Sequence, residues 1–206
     1  MTEAAVSSAA PARVEVGAPS RPERHIPGEL GLWILIFGDM TVFAVLFGVY
    51  LHQRGMQPAV FAHSQDTLNR NFGALNTLLL LCSSVCVVFA TRAVRGGMRK
   101  YAPRLVAAAM CFGVGFIVVK AFEYYAKIHA GLTPSTNKFY MYYFVLTGLH
   151  LAHLVFGLVV LGVLFALSRK KENTPGQLMF FEGGACFWHM VDLLWIVIFP
   201  LVFLVR

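Results

Sequence analysis

FYMYYFVLTGLHLAHLVFGLVVLGVLFAL, residues 139–167, contains no Asp, Glu, Lys or Arg. A bilayer hydrocarbon core of about 30 Å is crossed by about 20 helical residues, so this stretch can span it and has length left to tilt or protrude. Four further runs reach the same length: Leu30–Leu51, Phe72–Thr91, Leu105–Ala126 and Gly183–Val205. Lipid cannot satisfy backbone polar groups, so each run is expected to close its own hydrogen bonds as an α-helix. The fold expected is all-α, an integral membrane bundle of five transmembrane helices over residues 30–206.

Composition agrees with lipid as the solvent. Of 206 residues, 58% are hydrophobic and only 13% charged, with a mean hydropathy of +0.67. Soluble domains lie nearer half apolar and a quarter charged. Residues 1–29 differ, with Pro11, Pro19, Pro22 and Pro27 among Ala, Ser, Arg and Glu and no apolar core of signal-peptide length. They are expected to form a flexible cytoplasmic tail. The formal charge of +7 does not indicate nucleic acid, because the basic residues gather in short connections between apolar runs.

Those basic residues orient the chain. Eleven fall on the side of the tail: Arg13, Arg21 and Arg24, then Arg92, Arg95, Arg99, Lys100 and Arg104, then Arg169, Lys170 and Lys171. Five fall on the other: Arg54, Arg70, Lys127, Lys138 and Arg206. The excess puts the N-terminus inside and the C-terminus outside. Cys82, Cys86, Cys111 and Cys186 all lie within apolar runs without metal-ligand spacing, and are expected as small buried packing residues. No strong internal repeat is present, which weakens an inverted-repeat transporter.

Polar residues inside the spans carry the functional information. Asp39 lies near the middle of the first run, where an ionised carboxylate costs about 2.5–3.5 kcal/mol on insertion scales. It needs a proton, a partner on another helix or a purpose, and both a proton-exchanging and a purely structural carboxyl remain open. Lys120 and Glu123 stand three apart, with Tyr124 beside Glu123, so opposite charges share one helix face as an ion pair. His150 and His153 also share a face, after Thr147 and Gly148. Ligation of haem or metal is one reading, but ligands one turn apart do not supply the two faces of a haem, and interhelical hydrogen bonding is favoured. On the fifth run Phe181 and Glu182 precede Trp188, His189, Asp192 and Trp195. His189 and Asp192 can bond each other or a further helix, and with no serine or cysteine elbow nearby in sequence, hydrolysis is dismissed.

FEGGACFWHMVDLLW (Phe181–Trp195) resembles the last-helix pattern F-E-x-x-x-x-x-W-H-x-V-D-x-x-W of the cytochrome c oxidase subunit III family. TGLHLAHLVFG (Thr147–Gly157) is similar to that family's T-G-x-H-x-x-H-x-x-x-G helix. KAFEYY (Lys120–Tyr125) and LNT (Leu75–Thr77) match two shorter elements, and Asp39 falls where the family often carries a membrane-buried Glu. The motifs keep the family's order over residues 30–205. The larger members have seven helices, and this chain lacks counterparts of the first two, so it resembles five-helix bacterial members, including the NorE-type accessory protein of nitric oxide reductase.

The resemblance implies a non-catalytic accessory subunit in a bacterial inner membrane. Its partner would be the catalytic, subunit I-like chain of a haem-copper oxidase or nitric oxide reductase, carrying the haem and the copper or iron. This chain would bind membrane lipid, no nucleic acid and no cofactor or metal of its own. Asp39 is the expected proton-linked group. Lys120, Glu123, Tyr124, Thr147, His150, His153, Glu182, Trp188, His189, Asp192 and Trp195 are the expected structural or interface polar set. A small His-ligated membrane cytochrome and a proton or small-solute transporter are the competing classes.

Overall fold

A computed structural model describes residues 30–98, 100–170 and 174–205. The tail expected for residues 1–29 lies outside them, as do Arg99, Lys171 and Arg206. The described chain is helical: α1 (Leu30–Met56), α2 (Pro58–Asp66), α3 (Arg70–Arg95), α4 (Ala102–His129), α5 (Lys138–Ser168) and α6 (Pro175–Phe199). Five of these, all but α2, are long and apolar enough to cross a membrane.

Local chemistry sets the helix ends. The Asn69 side chain accepts from the backbone N–H of Asn71, and that of Asn137 from Tyr140. Thr174 forms a reciprocal capping box with Gln177 ahead of Pro175. These caps lie outside the apolar runs, so the helices are longer than hydropathy alone indicates. The largest difference is α6, which begins at Pro175 rather than Gly183, because Gln177 and Glu182 interrupt the apolar run while the helix start is marked by the cap. At its other end Pro200 has no N–H to donate, and the chain continues as a π-helical turn, Pro200–Leu204, closed by Val205 N–H to the Pro200 carbonyl.

Helices α3, α4, α5 and α6 pack side by side, α3 most extensively with α4, and α1 lies along α5 and α6. Short α2, which the apolar runs do not reveal, crosses the end between α1 and α5. Its Phe61 is fully buried against Tyr50 and Phe139, which is why a nine-residue helix holds there.

The core is organised around α6. Trp188 is completely buried, and a Cβ on Gly157 of α5 would lie 2.8 Å from its indole, one on Gly113 of α4 3.0 Å. Both backbones approach the ring only because those residues have no side chain. Its Nε1–H donates to Ser83 Oγ at 3.1 Å, and the Ser83 hydroxyl donates to the Ala109 carbonyl, tying α6 to α3 and α4.

One sequence expectation fails. Cys82 and Cys111 are exposed, whereas Cys86 and Cys186 are half-buried and pack against the core from its edge. Lipid-facing positions are as apolar as the interior, so an apolar run does not tell which face of its helix is enclosed.

Candidate functional site

Lys120, Glu123 and Tyr143 form a closed triangle. Lys120 Nζ donates to Glu123 Oε2 at 2.9 Å and to Tyr143 OH at 3.1 Å, and the Tyr143 hydroxyl donates to Glu123 Oε1 at 2.7 Å. Lys120 is 0% exposed and Glu123 2%, so both charges are fully desolvated. The ammonium also lies within 5.4 Å of the ring centroids of Tyr124, Tyr143, Trp195 and Phe203. Ring faces are electron-rich and stabilise a buried cation that has no water. Tyr124 OH meets Thr147 Oγ1 at 2.6 Å, and Thr147 in turn donates to the Tyr143 carbonyl. One turn further along α4, Lys127 donates to the Thr67 carbonyl beyond α2. With each of its polar atoms bonded inside the protein, this cluster suits holding α4, α5 and α6 together.

Asp39 and His153 form the second group. His153 Nε2 lies 3.0 Å from Asp39 Oδ1, and His153 Nδ1 is 2.7 Å from the Leu149 carbonyl. A carbonyl only accepts, so Nδ1 carries a proton and Nε2 shares the other with the carboxyl. The proton can rest on Asp39, leaving both groups neutral, or on His153, leaving an ion pair. Both side chains are about one-fifth exposed, at 18% and 22%. They line a hollow of about 220 Å³ with Leu35, Ala152, Phe156 and Phe187. A second hollow shares Leu35, Phe156 and Phe187 and continues between α1 and α6 past Gly183 and Gly184. The pair is therefore accessible from outside the bundle, unlike the Lys120 triangle.

His150 and His153 do not act together. His150 is completely buried with its ring edge-on to Phe116 and 5.2 Å from Trp195, and neither of its nitrogens has a hydrogen-bond partner among the described residues. The expected interhelical hydrogen bond is made by His153 alone. Three residues turn a helix about 300°, which leaves His150 toward the core and His153 toward α1.

The third group lies between α3 and α6. His189 Nδ1 is 2.6 Å from Ser84 Oγ, and Trp195 Nε1–H donates to Thr77 Oγ1 at 3.1 Å. His189 thus bonds a further helix rather than Asp192. The Asp192 carboxyl is buried and makes no close hydrogen bond among the described residues. At the end of α3, Arg95 Nε–H donates to Glu182 Oε1 at 2.7 Å, with Glu182 buried and Arg95 half exposed. Tyr143, Ser83 and Ser84 were not singled out by sequence, Thr77 entered only as the end of the Leu75–Thr77 motif, and Arg95 only as one of the orienting basic residues. Ser83, Ser84 and Thr77 recur on one side of α3 as the only hydroxyl residues before Thr91, which is the one signal that could have flagged them.

Among the described residues no three His, Cys, Asp or Glu side chains converge as a metal-binding group. The arrangement defines a membrane helical bundle in which most of these polar side chains, His150 and Asp192 apart, bond between helices, with the Asp39–His153 pair opening outward. The sequence profile described as "Cytochrome c oxidase subunit III" matches residues 26–205, and the chain belongs to that family. It is 30% identical over 175 residues to "Cytochrome bo(3) ubiquinol oxidase subunit 3" of Pseudomonas putida, covering 85% of this chain and 84% of the relative. It is 31% identical over 193 residues to "Cytochrome c oxidase subunit 3" of Alkalihalophilus pseudofirmus, covering 91% and 93%. A third relative, "Cytochrome c oxidase subunit 3" of Corynebacterium diphtheriae, is 27% identical over 200 residues, covering 96% and 95%. The chain is a multi-pass membrane protein.

Proposed function

We propose that this chain is a non-catalytic accessory subunit of a membrane haem-copper oxidase, which holds the catalytic subunit in a durable form and assists its proton supply through Asp39. The observation that supports the proton role is the Asp39–His153 contact, which shares one proton between two groups accessible from outside the bundle. The relatives' names support the accessory role; a quinol oxidase and a cytochrome c oxidase both occur among them, so the electron donor follows the partner. The same reading extends to a nitric oxide reductase partner of related construction. The basic residues support a cytoplasmic N-terminus and an external C-terminus, and the bacterial relatives support insertion in a bacterial cell membrane.

Asp39→Asn tests the proton role, because the amide keeps size and hydrogen bonding but exchanges no proton. The variant complex should assemble with its haems intact yet turn over more slowly or inactivate sooner. The deficit should widen as pH rises, since protons become scarcer and a group that collects them matters more. Normal assembly with parental turnover at every pH would make Asp39 structural.

A further inference from the structure

Past Glu182, outward positions recur in steps of three and four: Cys186, His189, Leu193 and Ile196 on α6, then Pro200 at the start of the π-helical turn, all half-buried or exposed, with exposed Val197 beside Ile196. Between Phe181 and Trp195 the other residues of α6 are buried, so this stripe is the outward face of that segment. That spacing averages 3.5 residues, the repeat of a seam that accepts one further helix by knobs-into-holes packing. The stripe lies between α3 and α1, both of which contact α6.

His189 lies one turn into the seam and at the centre of the span Gly176–Leu204. Its Nδ1 is taken by Ser84, whereas Nε2 has no partner among the described residues and is not among the enclosed polar atoms. At this depth there is no water to satisfy it, and an unmet polar group in hydrocarbon is costly. Acyl chains therefore match this face poorly. A helix that brings a hydroxyl, amide or carboxyl opposite Nε2 matches both the spacing and the chemistry. About 10 Å along the seam, seven residues before His189, Glu182 holds Arg95, whose half-exposed guanidinium gives a second polar point on the same side.

We propose that the Cys186–Pro200 seam of α6 seats one transmembrane helix of the catalytic subunit, with a hydrogen-bonding side chain of that helix on His189 Nε2. This inference rests on the accessory-subunit reading above and adds the surface through which it operates. Cells that produce the whole complex would carry benzoylphenylalanine at Leu193, or at Val118, which is exposed on the outward face of α4. After illumination, the Leu193 chain should form an adduct with the haem-bearing subunit, identified by mass, and the Val118 chain should not. If the haem protein co-purifies but Leu193 labels only lipid or a second copy of this chain, the seam assignment is overturned and the accessory reading stands. If no haem protein follows the chain, the accessory reading fails and the seam with it. In the complex, His189→Leu should lower the haem retained with the chain several-fold, and His189→Gln should recover it. Equal retention by all three overturns the hydrogen bond at His189.

Discussion

Lys120 is a cation that no water reaches, and its stability depends on Glu123 and Tyr143 remaining opposite it. Breaking a buried pair by removing one partner typically costs about 3–5 kcal/mol, whereas replacing both members with groups of similar shape can be nearly neutral. Glu123→Gln alone should therefore lower the unfolding free energy in detergent by about that amount, and Lys120→Met with Glu123→Gln should recover most of it. Additive losses in the two single variants and the double variant would show that the pair is not coupled. The Lys120–Glu123 spacing was legible because both members lie on one helix. Tyr143, which closes the triangle from α5, was not, since nothing in the sequence separates it from its neighbours Tyr140 and Tyr142. His150 and His153 show the same limit: helical spacing places them within a turn, but rotation of α5 sends one into the core and the other to α1.

At the scale of elements, the spans were legible from length and apolarity, and their true ends from caps rather than hydropathy. α2 was not legible, because a nine-residue helix held by one buried Phe has no apolar run of its own. The position of α1 was not legible either. It contacts the bundle through few side chains, notably Asp39 on His153, Phe43 edge-on to the same ring, and Tyr50 against Phe61 and Tyr142. His153→Leu removes the polar part of that attachment and leaves the Asp39 carboxyl without its partner. Hydrogen exchange should then quicken along Leu30–Met56 while α3, α4, α5 and α6 keep their protection. Equal quickening in every helix would show that His153 supports the whole bundle instead.

For the whole molecule, the proposed topology rests on an odd number of spans, with the basic excess supporting a cytoplasmic N-terminus. A reporter fused after Arg206 should report the external side, and one inserted between Arg95 and Lys100 the cytoplasm. A cytoplasmic reading after Arg206 would require an even number of crossings. The family resemblance was legible because its motifs, from Lys120–Tyr125 to Phe181–Trp195, keep their order along the chain, and the structure gives them shared purposes. Trp188 fills the space left by Gly113 and Gly157, while Trp195 and the Lys120 cluster close the core one level further along α6.

The central claim is that the chain exists to serve a catalytic haem subunit, and mild-detergent purification tests it most directly. Affinity capture of this chain from its own membranes should bring down a large multi-helix protein in near-equal amount, with haem visible in the optical spectrum of the eluate. A stable, colourless chain that emerges alone under the same conditions would contradict the account.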